Sequence, residues 1–107
     1  MIIMANLEEP MVYVKIHKRG GEVVVGACDC EIVGCCFKDQ KCKIEVREAF
    51  YKGEILPLSE AVILLSKATN FNVVGKHIVN GLLEAKVVNE HNVMKIGDTL
   101  FAMKIVI

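Results

Sequence analysis

Val12, Val14 and Ile16 alternate with Tyr13, Lys15 and His17, the period-two pattern of a half-buried strand. Lys18-Arg19-Gly20-Gly21 follows, and its glycine pair supplies the positive φ that a tight hairpin needs. Residues 22–28 are nearly continuously apolar and predict a strand covered on both faces. Asp29-Cys30-Glu31 turns the chain, residues 32–37 predict a third strand, and Lys38-Asp39-Gln40-Lys41 turns it again. Cys42, Ile44 and Val46 then share one face, while Lys41, Lys43, Glu45 and Arg47 share the other. The pattern up to here predicts a meander of about four short strands.

Phe50-Tyr51-Lys52-Gly53 closes this block, and Pro57 punctuates the connection that follows. A helix then begins with Ser59 as its expected N-cap. Ala61, Leu64, Leu65 and Ala68 recur at i, i+3, i+4 and i+7, and Val62 and Ile63 widen that stripe. Thr69-Asn70-Phe71-Asn72 interrupts it, and a second helix is expected over about residues 74–86. Ile78, Leu82 and Ala85 form its inward stripe, with Val79 and Leu83 alongside. His77, Asn80 and Glu84 share the opposite face, read as a solvated surface. Residues 92–96 and 99–107 predict two strands around Gly97-Asp98, with Phe101, Met103, Ile105 and Ile107 alternating inward. The order predicts an α+β domain: a β-meander of about four strands, two helices and a C-terminal β-hairpin. The domain is expected over 11–107, behind an N-terminal extension of residues 1–10.

At 107 residues the chain has room for one core. Apolar residues are 53% and charged residues 24%, which excludes disorder as the overall state. Mean hydropathy is +0.42, above that of an average soluble domain, and points to a homo-oligomer that hides apolar surface between subunits. No stretch reaches the roughly 18 consecutive apolar residues of a membrane helix. The opening MIIMANLEEP has no basic n-region and no cleavage site, so a cytoplasmic protein is expected. Thirteen basic and thirteen acidic residues give net charge +0, which excludes a strongly basic nucleic-acid wrapper and an acidic mimic alike.

Cys28, Cys30, Cys35, Cys36 and Cys42 crowd one window. An odd count and no secretion signal predict free thiols in a reducing compartment. Packing as small hydrophobes is the plainest role for them. Two others stay open: a metal site drawing on these five sulfurs, and a redox or catalytic thiol at Cys28. The spacing C-x-C-x4-C-C-x5-C lacks the C-x2-4-C knuckles of a structural zinc site. Asp29 beside Cys28 disfavours a ready thiolate there. There is no phosphate-cradling glycine motif, no G-x-S-x-G elbow and no H-E-x-x-H helix. No cofactor is called for.

Charge is uneven along the chain. Residues 11–47 carry seven bases against five acids, and the later residues balance at six each. Lys18 and Arg19 occupy one turn, and Lys38, Lys41, Lys43 and Arg47 lie near another, where they could position phosphates. Tyr13, Phe37, Phe50 and Tyr51 form no recognised stacking motif, and an ordinary solvated edge is the competing reading.

With the strands in this order, the chain resembles an archaeal family known as domain of unknown function 424. The resemblance covers about residues 11–107. It is carried by Val12-Tyr13-Val14-Lys15 leading to Gly21, then by Cys28-Asp29 ahead of Ile32-Val33-Gly34. Glu45-Val46, Phe50-Tyr51-Lys52-Gly53 and Asn72-Val73-Val74-Gly75 continue it, and Gly81-Leu82-Leu83, Asn92-Val93 and Ile96-Gly97 complete it. Family members tend to carry a Pro-His-like pair in the final hairpin, where this chain has Leu100-Phe101. Only Cys28 of the five cysteines falls on the family-like pattern. The resemblance implies an archaeal cytoplasmic protein and brings no activity with it.

The expectation is therefore a non-catalytic binding module, a homodimer, associated with RNA or a translation-linked ribonucleoprotein. Lys18, Arg19, Lys38, Lys41 and Lys43 are its expected contacts. A small cysteine-dependent enzyme or redox protein built on Cys28, or a structural subunit of a larger assembly, are the alternatives.

Overall fold

The computed structural model describes residues 9–106. The first hairpin forms as its pattern predicts, from β1 (Met11–Arg19) and β2 (Glu22–Asp29). Gly20 and Gly21 close it at φ +57° and +87°, values that side chains other than glycine tolerate poorly. β2 is covered on both faces only from Val25 onward, and its first residues stay more exposed because only β1 flanks them, β6 beginning opposite Val25.

The predicted meander does not continue in the same sheet. A single turn of tight helix (Cys30–Ile32) follows β2, and Gly34 at φ +87° breaks the expected third strand. What remains, β3 (Cys36–Lys38), pairs with β4 (Lys43–Glu45) as a separate two-stranded ribbon. A short helix, α1 (Glu48–Tyr51), and an unforeseen edge strand, β5 (Glu54–Pro57), come next. β5 pairs antiparallel with the start of β1, and Pro57 is tolerated because it ends an edge strand.

α2 (Leu58–Ser66) starts one residue before the expected cap. Ser59 is not the N-cap: Pro57 holds that position, and Ser59 gives its backbone N–H (2.8 Å) and hydroxyl (2.9 Å) to the Glu9 carboxylate. The acidic end of the expected extension thus binds the positive end of α2. Residues 1–8 of that extension lie outside the described residues.

The larger correction is β6 (Phe71–Val74), expected as a break between helices and the first residue of the second. It is a central strand, parallel to β2 and antiparallel to β8. The crossover from β2 therefore carries the whole segment 30–70. α3 (Lys76–Glu84) follows, shorter than expected, and ends where Lys86 takes a left-handed φ of +61°. A turn at Glu90–Asn92 leads into the C-terminal hairpin of β7 (Val93–Ile96) and β8 (Thr99–Lys104).

The six-stranded sheet has the order β5-β1-β2-β6-β8-β7, so the α+β class holds. One face carries the main core: Val12, Val14, Val25, Ala27, Val73 and Ala102 pack against Ala61 and Leu65 of α2 and Ile78, Val79 and Leu82 of α3. Fully burying each large aliphatic side chain is worth about 1.5–3 kcal/mol. His77, Asn80 and Glu84 face outward as expected, and Ala85 is exposed rather than inward. In β8 it is Ala102 that faces the helices. Met103 and Ile105 are exposed, at 41% and 63%, because the pleat turns Met103 to the opposite face and Ile105 lies beyond the strand end. Ile107 lies outside the described residues.

Candidate functional site

The face of the sheet away from α2 and α3 is only half covered. Cys28, Val46, Tyr51 and Val74 are buried there beneath α1 and the β3–β4 ribbon, with Tyr13, Ile32, Phe37, Ile44 and Phe101 packed around them. Gly26 makes the adjoining geometry possible. A Cβ on it would lie 2.6 Å from the Phe50 carbonyl oxygen and 2.7 Å from a ring carbon, so only glycine lets α1 settle on β2. His17 stacks on Phe50 with ring centroids 4.4 Å apart and planes 12° apart, and its Nε2 lies 2.7 Å from the Phe50 carbonyl oxygen. Tyr51 meets Phe50 edge-on at 4.8 Å. Burial pushes the Tyr51 phenol up to about 12.

Beside this aromatic stack the sheet opens into three joined hollows. The first, about 630 Å³, is lined by Lys18, Arg19, Glu22, Val24, Phe50 and Asn72, along with Ile16 and His17. The second, about 430 Å³, shares Phe50 and Asn72 with it and adds Tyr51, Phe101, Ile44, Glu45 and Arg47. The third, about 290 Å³, takes in Lys43 beside Ile44, Glu45 and Arg47. Neighbouring hollows share lining residues and together form a groove along the sheet face, with Phe50, Tyr51 and Phe101 among its lining and Lys18, Arg19, Arg47 and Lys43 as its cations. Arg47 at 3.1 Å and Lys43 at 3.6 Å both pair with Glu45 and hold its carboxyl below the usual range. A separate hollow of about 510 Å³, behind α3, is walled by Leu83 and residues 86–90 alone, with no convergence of distant elements.

The five expected contacts therefore divide. Lys18 and Arg19 line one hollow of the groove, and Lys43 lines another. Lys38 and Lys41 lie at the turn of the ribbon and line none of the three hollows. That turn is organised by Asp39, which accepts the backbone N–H groups of Lys41 and Cys42 at 2.9 Å and of Gly97 at 3.2 Å. Arg47, near the same turn in sequence, lines the groove although it is not among the five expected contacts, Phe50 lines it without any stacking motif in the sequence, and Asn72 and Phe101 carry no sequence signal of a site. The isolated Gly26 within an apolar strand was the one local signal of a close approach.

The cysteines scatter. Cys28 is fully buried, and desolvation together with the Asp29 carboxylate pushes its thiol up to about 12. Cys35 and Cys36 are exposed, and Cys42 lies 3.9 Å from the Met94 sulfur. Among the described residues, the donor group that converges is Asp29, Glu31 and His77, which contains no cysteine. His77 Nε2 lies 3.6 Å from Glu31. Asp29, however, is committed to α3: its two oxygens accept the N–H groups of His77 at 2.9 Å and Ile78 at 3.0 Å. Burial raises its pKa against the pull of those two bonds. Gly75, at φ +130°, is shaped by the same contact, since a Cβ there would lie 2.5 Å from Asp29 Oδ2. Asp29 is thus a helix cap supplied by a neighbouring strand.

The fold and the groove together define an α+β domain with one sheet face closed by helices and the other partly open. The chain belongs to the family described as protein of unknown function (DUF424), whose model matches residues 17–107. It is similar in fold to the crystal structure of an uncharacterized conserved protein from Methanopyrus kandleri. The TM-score is 0.74 at 20% identity, covering 87% of this chain and 89% of that one. No curated protein matches it. Two stretches that carried the family resemblance, Cys28-Asp29 and the segment ending in Gly75, meet at the cap of α3.

Proposed function

We propose that this domain is a non-catalytic module that binds single-stranded RNA along the open face of its sheet, in a translation-linked ribonucleoprotein setting. The observation that carries this reading is the groove itself, lined by Phe50 and Phe101, with Lys18 and Arg19 in one hollow and Arg47 and Lys43 in another. Bases stack on aromatic side chains whatever their identity, and cations beside them position phosphates. A duplex keeps its bases stacked inside and offers them to no such lining. The enzyme alternative draws nothing from Cys28, because a thiol raised to about 12 supplies almost no thiolate at neutral pH.

The test is fluorescence anisotropy of labelled single-stranded RNA across a salt series. Each phosphate contact on a single strand contributes about 0.7 to the slope of log K against log salt. Charge reversal at both Lys18 and Arg19 should weaken binding to every sequence and flatten that slope by about 1.4. Binding that is unchanged in the double variant, or a duplex that competes as well as a single strand, would dispose of the reading.

A further inference from the structure

Asn72 occupies an unusual place. It is the middle of a central strand, directly opposite Gly26 on β2 and Met103 on β8. Because Gly26 has no side chain and Phe50 lies over it, Asn72 is half-buried at the point where the two larger hollows meet. Its carboxamide makes no side-chain hydrogen bond among the described residues, whereas nearby Asn70 accepts the Val106 N–H at 2.8 Å. A carboxamide carries two donors and an acceptor in one plane, the arrangement that matches an adjacent donor and acceptor on a base edge. Any ligand lying in the groove takes water away from this group. A ligand that leaves it unpaired then incurs the full desolvation penalty.

We propose that Asn72 is the base-reading residue of the groove, hydrogen-bonding the edge of one unstacked nucleobase while Phe50 supplies sequence-tolerant stacking. The proposal rests on the single-strand reading above and adds sequence discrimination to it. Positioning by phosphates alone would make all bases equivalent, and Asn72 is the one neutral hydrogen-bonding side chain that lines both of the larger hollows.

Homopolymer RNA oligonucleotides of about a dozen nucleotides, one for each of several bases, provide the test, with affinity read by anisotropy. The wild-type protein should rank them over about a tenfold range, the scale of one bidentate pair. Asn72→Ala should collapse that ranking to about twofold and leave the salt slope unchanged, and Asn72→Gln should restore part of it. Phe50→Leu should weaken all homopolymers together, by about tenfold, and keep their order. Near-ultraviolet circular dichroism confirms that each variant keeps its fold. If Asn72→Ala weakens every homopolymer equally, or changes none, the inference falls and the groove reading survives. If no homopolymer binds the wild-type protein, both fall.

Discussion

Replacing Asp29 tests whether its carboxylate holds α3 onto the sheet. The side chain is 2% exposed, and each of its oxygens accepts one amide N–H from the first turn of a nine-residue helix. Hydrogen bonds to a charged group are worth about 1.5–3 kcal/mol each, and the helix dipole adds to them. Burial opposes this gain, since it raises the carboxyl's pKa. Asp29→Ala should therefore cost about 3 kcal/mol. Asp29→Asn keeps one acceptor but turns an NH2 group toward the second amide, and should cost about 2 kcal/mol. For a domain of this size the alanine variant should melt roughly 12–24 °C lower. Gly75 supplies a second arm. In the wild-type background, Gly75→Ala suffers both its left-handed backbone and a Cβ pressed against Asp29. Once residue 29 is alanine, only the backbone cost remains, so the double-mutant cycle should show a coupling of about 1 kcal/mol or more. Urea unfolding at neutral pH gives all four values. An Asp29→Ala cost below about 0.5 kcal/mol, or strict additivity with Gly75→Ala, would refute the cap.

Two further outcomes follow from the packing. Alkylation at pH 8 followed by mass spectrometry should label Cys35 and Cys36 quickly and leave Cys28 unmodified until denaturant is added, because Cys28 alone is fully buried. Burial, with the Asp29 carboxylate beside it, pushes this thiol up to about 12 from the ordinary 9.0, so the folded state holds the proton more tightly than the unfolded state. The stability that Cys28 contributes is therefore complete below pH 9 and is lost as pH rises through about 12; a Cys28→Ala variant that lost stability just as steeply over that window would contradict the assignment. Gly26→Ala should displace Phe50 and cost about 1–3 kcal/mol by overpacking. It should also abolish the His17–Phe50 stack, so an unaltered near-ultraviolet spectrum would count against the close approach.

The first hairpin, α2 and the outward face of α3 are legible because each rests on a local periodicity, and the C-terminal hairpin is legible from its Gly97-Asp98 turn, although its alternation puts Ala102 rather than Met103 toward the helices. β6 is not. Phe71-Asn72-Val73-Val74 is too short to display alternation and abuts a helix, so its strand character comes from pairing with β2 and β8. The apolar run from Ile32 to Phe37 predicts a longer third strand than the one that forms, because it contains Gly34, whose left-handed φ redirects the chain into a ribbon. β5 carries no strand signal of its own, because a proline ends it, which an edge strand permits. The groove shows the same division. Lys18 and Arg19 are visible as a basic turn, but Phe50, Asn72 and Phe101 come from three separate segments. The crossover between β2 and β6 and the return of β8 bring them together, and no local spacing records that.

The adjacent pair Cys28-Asp29 shows how the two faces are linked. Their side chains point to opposite sides of β2: Cys28 seals the small core under α1 and the ribbon, and Asp29 anchors α3 on the other side. The closed face therefore supplies rigidity, and the open face is free to bind. That division also bounds the strength of any RNA interaction. Four cations line the groove, Lys18, Arg19, Arg47 and Lys43, and the last two share Glu45. Even if all four met phosphates, the salt slope could not exceed about 2.8. A protein of net charge +0 has little further field to add. Affinity beyond that limit must come from stacking at about 1–3 kcal/mol per base and from the pairing of Asn72. A measured slope well above 2.8 would mean that the RNA contacts cations outside this groove, with Lys38 and Lys41 on the ribbon turn as the first place to look.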